Sequence, residues 1–138
     1  MLAELPPADR AHIRVLTRDE DAEYAAASIG SFPLASQMSI DWSGADIVRQ
    51  EIVDDDAEAI TVLLDMLPEE DAGNLECVVL WGSLGIPSIS LPAAVAKRHL
   101  AGILEASAEL WMFVPAQHLL IEYNMLGEVT AGRPPTAD

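Results

Sequence analysis

The chain has 138 residues, of which 51% are hydrophobic and 22% charged, and its formal net charge is −16. This composition predicts one folded domain over residues 1–132, because disordered chains combine low hydrophobicity with high net charge. Only seven Lys and Arg residues are present, which argues against binding to nucleic acids or anionic membranes. The single cysteine, Cys77, excludes a disulfide framework, and the N-terminus lacks a secretory-signal pattern, so we expect a cytoplasmic protein.

The negative charge is concentrated in one region of the chain. Residues 41–76 contain twelve acidic residues and one base, Arg49, for a net charge of −11. Adaptation to salt would distribute acids over the whole surface, so this asymmetry favours a surface that attracts a basic protein partner. The residues predicted to bind that partner are Asp41, Trp42, Asp46, Asp54, Asp55, Asp56, Glu58, Glu69, Glu70 and Asp71.

The first third of the chain alternates strand and helix patterns. Residues 12–16 predict a short strand. Thr17 and Glu20 have the spacing of a capping box, which predicts a helix that ends near Gly30. A second strand is expected over residues 35–42. Residues 45–53 fit a helix and a strand equally well, and this segment stays open.

The middle of the chain predicts a helix followed by a hairpin. Residues 55–67 form the helix, and residues 69–74 form a loop. Residues 75–81 and 86–91 predict two apolar strands. The uncharged run 77–96 has the length of a membrane span, but Gly, Pro and Ser interrupt it as they do in turns, so we expect a buried hairpin. The apolar face of the 55–67 helix is predicted to be Ala57, Ile60, Leu64 and Leu67.

The C-terminal part predicts one helix and a three-stranded meander. The helix has Pro92 in its first turn. Strands are expected over Leu110–Val114, His118–Tyr123 and Glu128–Ala131, with Gly127 at a positive φ in the last turn. The predicted buried face of the helix is Ala96, Leu100, Ile103, Leu104 and Ser107. Residues 133–138 are expected to be a flexible tail.

These elements predict an α+β fold, namely a mostly antiparallel sheet of about five to seven strands with about three helices packed on one face. Two sets of residues are candidates for chemistry. The run Asp54-Asp55-Asp56 with Glu58 has the residue types of a cation site but not the spacing of a calcium loop, so helix capping is the preferred interpretation and no metal is expected.

The second set is an alternative pocket formed by Glu109, His118 and Glu122, in which a carboxylate would orient a histidine base. A polar row on a solvated sheet face is the preferred interpretation of these residues. Cys77 lies in an apolar run without a neighbouring base, which indicates an unreactive core thiol. No catalytic residue and no cofactor are predicted.

The residues Glu109-Leu-Trp-Met-Phe-Val-Pro115, Leu120-Ile-Glu-Tyr-Asn124 and Gly127-Glu-Val129 close a chain that resembles small acidic α+β bacterial toxin-immunity proteins. The resemblance covers roughly the C-terminal half and assigns no functional residue. It implies a non-enzymatic inhibitor that masks a cationic partner, for example a toxin. The alternatives are a secretion-type chaperone, which would be expected to form a homodimer, and a small-molecule-binding domain or enzyme that uses the C-terminal sheet.

Overall fold

In the residues that the structure describes, the protein folds as one seven-stranded antiparallel sheet with α-helices, the α+β single-domain class that the sequence predicts. The computed structural model describes residues 11–27, 46–67, 75–81, 88–105, 109–124 and 127–133. The strands are β1 (Arg14–Val15), β2 (Asp46–Ile52), β3 (Glu76–Trp81), β4 (Ile89–Pro92), β5 (Leu110–Val114), β6 (Leu119–Tyr123) and β7 (Glu128–Arg133). The α-helices of these ranges are α1 (Arg18–Ala27), α2 (Asp56–Met66), α3 (Ala93–Arg98) and α4 (Leu100–Glu105).

The strands lie in the order β1-β4-β3-β5-β6-β7-β2. Two parts of this order are local in sequence and match the prediction, namely the β3–β4 pair and the β5–β6–β7 meander. The other pairs are distant in sequence, because β1 pairs with β4 and β2 pairs with β7. β2 therefore occupies one end of the strand order and lies beside the C-terminal strand of the sheet.

Both faces of the central strands are buried. One face, which we call the helix face, carries Met112, Ile121 and Val129 and packs against α2, α3 and α4. The opposite face, which we call the far face, carries Trp111 and Leu120, and Tyr24 of α1 packs against its cluster. Burial on both sides explains why β3 and β5 read as continuous apolar runs rather than as alternating ones.

Residues 46–52 of the 45–53 segment, which the sequence left open, form a strand. β2 pairs with β7 over its length, and the register shifts between Ile47 and Arg49, which marks Val48 as the extra residue of a β-bulge. The predicted strand over 35–42 and the predicted end of α1 near Gly30 lie outside the described residues. β7 continues to Arg133, two residues beyond its predicted end, and residues 134–138 also lie outside the described part.

The predicted buried face of the 55–67 helix is correct at Leu67, which is buried, and at Ile60, which packs against the core, but it is wrong at Ala57 and Leu64. Ala59 and Leu63 are buried, whereas Ala57 and Leu64 are exposed. Two apolar stripes run along this helix, one position apart, and the residue spacing does not determine which stripe meets the sheet. Which side of α2 is buried is therefore determined by the packing of the helix on the sheet and not by the spacing alone.

The single helix predicted after Pro92 is two helices. α3 ends at His99, whose φ of −122° and ψ of 23° are not helical, and α4 begins at Leu100. Pro92 is the N-cap of α3 rather than a residue of its first turn. The predicted buried positions Ala96, Leu100 and Ile103 are nevertheless in the core, because the break leaves both short helices on the helix face.

The uncharged run 77–96 contributes β3, β4 and the start of α3 in the ranges described. Of the helices in the described residues, none has the length and hydropathy of a membrane span.

Candidate binding surface

The surface formed by β2 and α2 carries most of the described acidic residues of the 41–76 region. Residues 46–67 contain seven acidic residues and one base, a net charge of −6. That base, Arg49, lies 3.2 Å from a carboxylate oxygen of Glu51 and 3.7 Å from one of Asp65. The Arg49–Asp65 ion pair joins β2 to α2. The guanidinium of Arg49 is therefore paired with two carboxylates.

The acidic run at the start of α2 makes structural hydrogen bonds. Asp55 is the N-cap, and its Oδ1 accepts a hydrogen bond from the backbone N–H of Glu58 at 2.9 Å. Glu58 Oε2 accepts from the backbone N–H of Asp54 at 3.2 Å. The bond to Asp55 satisfies an N–H group of the first turn that the helix leaves without a partner, and the carboxylates also lie at the positive end of its dipole. The structure thus contains the hydrogen bond expected from helix capping, which is the preferred interpretation of this run.

Asp56 connects the same helix end to the sheet. Its Oδ1 accepts a hydrogen bond from the hydroxyl of Tyr123 on β6 at 2.9 Å. Burial, which is the largest cause, acts together with the Asp56 hydrogen bond and the charges of Asp56 and Asp55 to raise the pKa of Tyr123 to about 12. The neutral phenol is therefore the form that this site stabilises.

The ten predicted partner-binding residues do not form one cluster in the described structure. Asp54, Asp55, Asp56 and Glu58 lie together at the start of α2. Asp46 lies at the other end of β2, about 17 Å from Ile52, because their partners Arg133 and Glu128 are five residues apart at 3.3 Å per residue. Asp46 also pairs with Arg133 at 3.6 Å. The remaining predicted residues, Asp41, Trp42, Glu69, Glu70 and Asp71, lie outside the described residues.

The sequence analysis missed the exposed apolar side chains of this surface. Ile47 is 41% exposed, Val48 52%, Ile52 77% and Leu64 39%, and Val15 is the only other exposed large apolar residue in the described ranges. The sequence contained a signal of this exposure, because the apolar residues of 45–53 fit the helix period and the strand period equally well. A segment whose apolar residues do not all face one core has such a pattern.

The alternative pocket residues do not converge as a set. Glu109 immediately precedes β5, and Glu122 lies on β6 opposite Trp111, so the two carboxylates are diagonal neighbours. His118 precedes β6 in a left-handed conformation with a φ of 49°. It is about 13 Å from Glu122 along the chain at 3.3 Å per residue. The structure brings Glu109 and Glu122 together and leaves His118 at the opposite end of the strand.

Glu122 does not lie on a solvated face, so the preferred interpretation of this row is wrong on that point. Only 2% of Glu122 is exposed, and its Oε2 accepts a hydrogen bond from Trp111 Nε1 at 2.8 Å. Burial, followed by the charge of Glu122, raises the pKa of Glu109. Next to Glu122 across the strands is Thr130, whose hydroxyl accepts a hydrogen bond from Gln50 Nε2 at 3.1 Å. The row is buried at Trp111, Glu122 and Thr130 and exposed at Gln50, and it links β5, β6, β7 and β2.

The remaining candidates are structural. Cys77 is fully buried, and burial, with a smaller contribution from the charge of Glu76, raises its pKa to about 12. A thiol in that state is a poor nucleophile at neutral pH. Over the ranges described, no three His, Cys, Asp or Glu side chains are grouped so that they would hold a metal ion.

Comparison with known proteins adds no relative to this description. No protein-family model matches the chain, and no curated protein matches it either.

Proposed function

We propose that this protein is a non-enzymatic binding module that masks a cationic protein partner, in the manner of an immunity or inhibitor protein. The observation that supports the proposal is the position of the exposed apolar residues. Four of the five large apolar side chains exposed in the described residues lie within 46–67, the segment that carries a net charge of −6. Exposed apolar side chains close in sequence to acidic residues are expected of an interface with a basic protein.

The two properties have different roles in binding. Apolar side chains that lose water on binding slow the dissociation of the complex, whereas surface charge speeds the encounter of opposite charges. A partner with a basic cleft, such as a toxin that acts on nucleic acid, would meet both requirements. We also propose that binding takes place in the cytoplasm, where a protein of this type would protect the cell that makes it.

A homodimer through this surface is less favourable. Two copies would bring together two segments of net charge −6, and like charges across an interface oppose association. The enzyme alternative required Glu109, His118 and Glu122 in one place, and His118 lies about 13 Å from Glu122 along the strand. Neither alternative has a specific observation in its favour.

The experiment is affinity capture with matched variants. Wild-type protein, Ile52→Ser and Val15→Ser would be immobilised, exposed to lysate of the source organism at low salt and eluted with a salt gradient. Val15 is 45% exposed on β1, far from β2 in the strand order, so it is the matched control.

We expect one basic protein to be retained by wild type and Val15→Ser, to bind the purified protein with a fixed stoichiometry, and to lose its own activity in the complex. Ile52→Ser should retain less of it. A complex that leaves the partner's activity intact would contradict the inhibitor function, and retention of no basic protein would contradict a cationic partner.

A further inference from the structure

We infer that an extended, amphipathic and cationic segment of the partner docks along β2, against Ile47 and Ile52 on its far face and the exposed Val48 of the bulge between them. We call these three residues the β2 strip. This inference rests on the proposed function and deepens it, because it names the contacting side chains and the chemistry of the occupant. It also moves the contact away from the carboxylates of α2, which the sequence analysis favoured.

The register of β2 against β7 places the strip. Gln50 lies opposite Thr130 and hydrogen-bonds to it, so Gln50 is on the far face with Glu122. Ile52, two residues on, shares that face. Arg49 and Glu51 lie opposite Ala131 and Val129, which belong to the helix-face core. Arg49 and Glu51 thus lie on the helix face, and Gln50 and Ile52 lie on the far face.

The bulge completes the strip. Without it, Ile47 and Arg49 would lie on the same face, because side chains alternate along a strand. The extra residue, Val48, shifts the register so that Ile47 lies opposite Gly132, which in turn lies opposite the far-face residue Leu120. Ile47 and Ile52 therefore share the far face, about 13 Å apart, because their partners Gly132 and Glu128 are four residues apart at 3.3 Å per residue.

This geometry fits an extended occupant. The strip is linear and has the width of one strand, so an extended segment with apolar residues at alternate positions would follow it. Ile52 is the most exposed large apolar side chain of the described residues, at 77%, and would lose the most water on docking. Apolar contact with the strip is therefore expected to set how long the occupant stays bound.

The charges around the strip are unequal at its two ends. At the Ile52 end, the cross-strand partner is Glu128, and the chain continues into Asp54 and Asp55. At the Ile47 end, Asp46 is paired with Arg133 at 3.6 Å. Negative potential is therefore stronger beside Ile52, and the basic residues of the occupant are expected at that end.

The test uses a capped octapeptide of alternating Lys and Val as the probe, and an octapeptide of alternating Lys and Ser with the same charge as its control. Backbone amide chemical shifts of the labelled protein would locate the peptide, and a titration of those shifts would give Kd. We expect the Lys/Val peptide to perturb residues 46–53 and to bind at least tenfold more tightly than the Lys/Ser peptide.

Two variants separate the contributions of the strip and of the acids. Ile52→Ser is expected to raise the Kd of the Lys/Val peptide at least tenfold, whereas the equally mild Val15→Ser should not change it. Asp54→Asn combined with Asp55→Asn removes two charges and keeps an Asn cap on α2. This variant should slow association and leave the dissociation rate unchanged.

A spin label on the basic end of an octapeptide with three Lys residues at one terminus should broaden amides near Ile52 more than those near Ile47. Equal binding of the Lys/Ser peptide, or perturbation of α1 or α4 instead of β2, would overturn the inference. If the natural partner is captured and inhibited but Ile52→Ser captures it as well as wild type, the proposed function stands and the docking strip is wrong.

Discussion

The pKa of Tyr123 reports on the burial and the negative charge around its hydroxyl group. Its hydroxyl donates to Asp56, and burial with the nearby carboxylates raises its pKa to about 12, from an ordinary value of about 10. Because the folded state disfavours the phenolate, this site stabilises the fold fully below about pH 10. The contribution is lost as pH rises through the folded pKa of about 12.

We therefore expect the phenolate absorbance of Tyr123 to appear with a midpoint near pH 12. It would be read at once after a pH jump, in a Tyr24→Phe background, because Tyr24 also has a raised pKa. Asp56→Asn should lower the Tyr123 midpoint but not to its ordinary value, since burial is the largest cause of the shift. A midpoint at the ordinary value in the folded protein would contradict the Tyr123–Asp56 contact.

Gly127 is required by its backbone. Its φ is +82°, and a Cβ at this position would lie 2.6 Å from the carbonyl oxygen of Val53. The Val53 N–H donates to the carbonyl of Gly127 at 2.8 Å, so the close approach belongs to the junction between β2 and β7. We expect Gly127→Ala to lower the free energy of unfolding by about 1–3 kcal/mol, as measured by urea denaturation.

Gly127→Asn separates the two causes of that loss. Asn adopts positive φ more readily than Ala, but it brings the same Cβ. If the contact with Val53 dominates, Gly127→Asn should be as unstable as Gly127→Ala. An alanine variant with wild-type stability would show that neither the φ nor the contact constrains this turn.

At the scale of single elements, the first turn of α2 has a measurable stability. Asp55→Ala removes the side-chain acceptor for the Glu58 N–H and should lower the free energy of unfolding by about 0.5–2 kcal/mol. Asp55→Asn keeps an acceptor and should have nearly wild-type stability. Urea unfolding of both variants would check this, and an equal loss in both would assign the effect to charge rather than to the cap.

Elements specified by nearby residues could be predicted from the sequence. The capping box is an example, since the backbone N–H of Thr17 donates to Glu20 at 3.1 Å and that of Glu20 donates to Thr17 at 3.2 Å. The left-handed turn at Gly127 and the meander around it are others. In each case the determining contacts lie within a few residues of one another.

Elements that depend on distant partners could not be predicted in the same way. The buried stripe of α2 is Ala59 and Leu63 rather than Ala57 and Leu64, because the sheet decides which side of the helix is covered. The break at His99 separates two helices whose apolar spacing is continuous, so nothing in the spacing marks it. β2 became a strand because β7 pairs with it.

The same division applies to the candidate site. The acidic run at residues 54–58 and its capping role follow from local sequence. The exposure of Ile52 does not, because it depends on the register with Glu128 and on the position of β2 at the end of the strand order. Likewise, the burial of Glu122 follows from cover over the far face, which the alternation of β6 alone does not reveal.

At the scale of the whole molecule, a net charge of −16 on 138 residues opposes the compact state. Raising ionic strength from about 0.01 M to about 0.15 M shortens the screening length from about 30 Å to about 8 Å. We therefore expect the melting temperature to rise with KCl over this range. Thermal unfolding followed by tryptophan fluorescence would measure it.

Calcium distinguishes screening from specific binding. At matched ionic strength, CaCl2 should give the same melting temperature as KCl if screening alone acts, whereas a ligand that binds only the folded state raises it further. A saturable additional rise with calcium would reveal a cation site and contradict the capping interpretation of the acidic run.

The pairing of β2 with β7 also sets an order of events during synthesis. Gln50 and Thr130, which hydrogen-bond in the folded sheet, are 80 residues apart, so at about 5–20 residues per second their partnership waits about 4–16 s. For that time the nascent chain exposes Ile47, Val48 and Ile52 without β7. Acidic neighbours on an unpaired apolar strand act as gatekeepers against aggregation. The acidic residues around β2 thus protect the nascent chain from aggregation before the binding surface has folded.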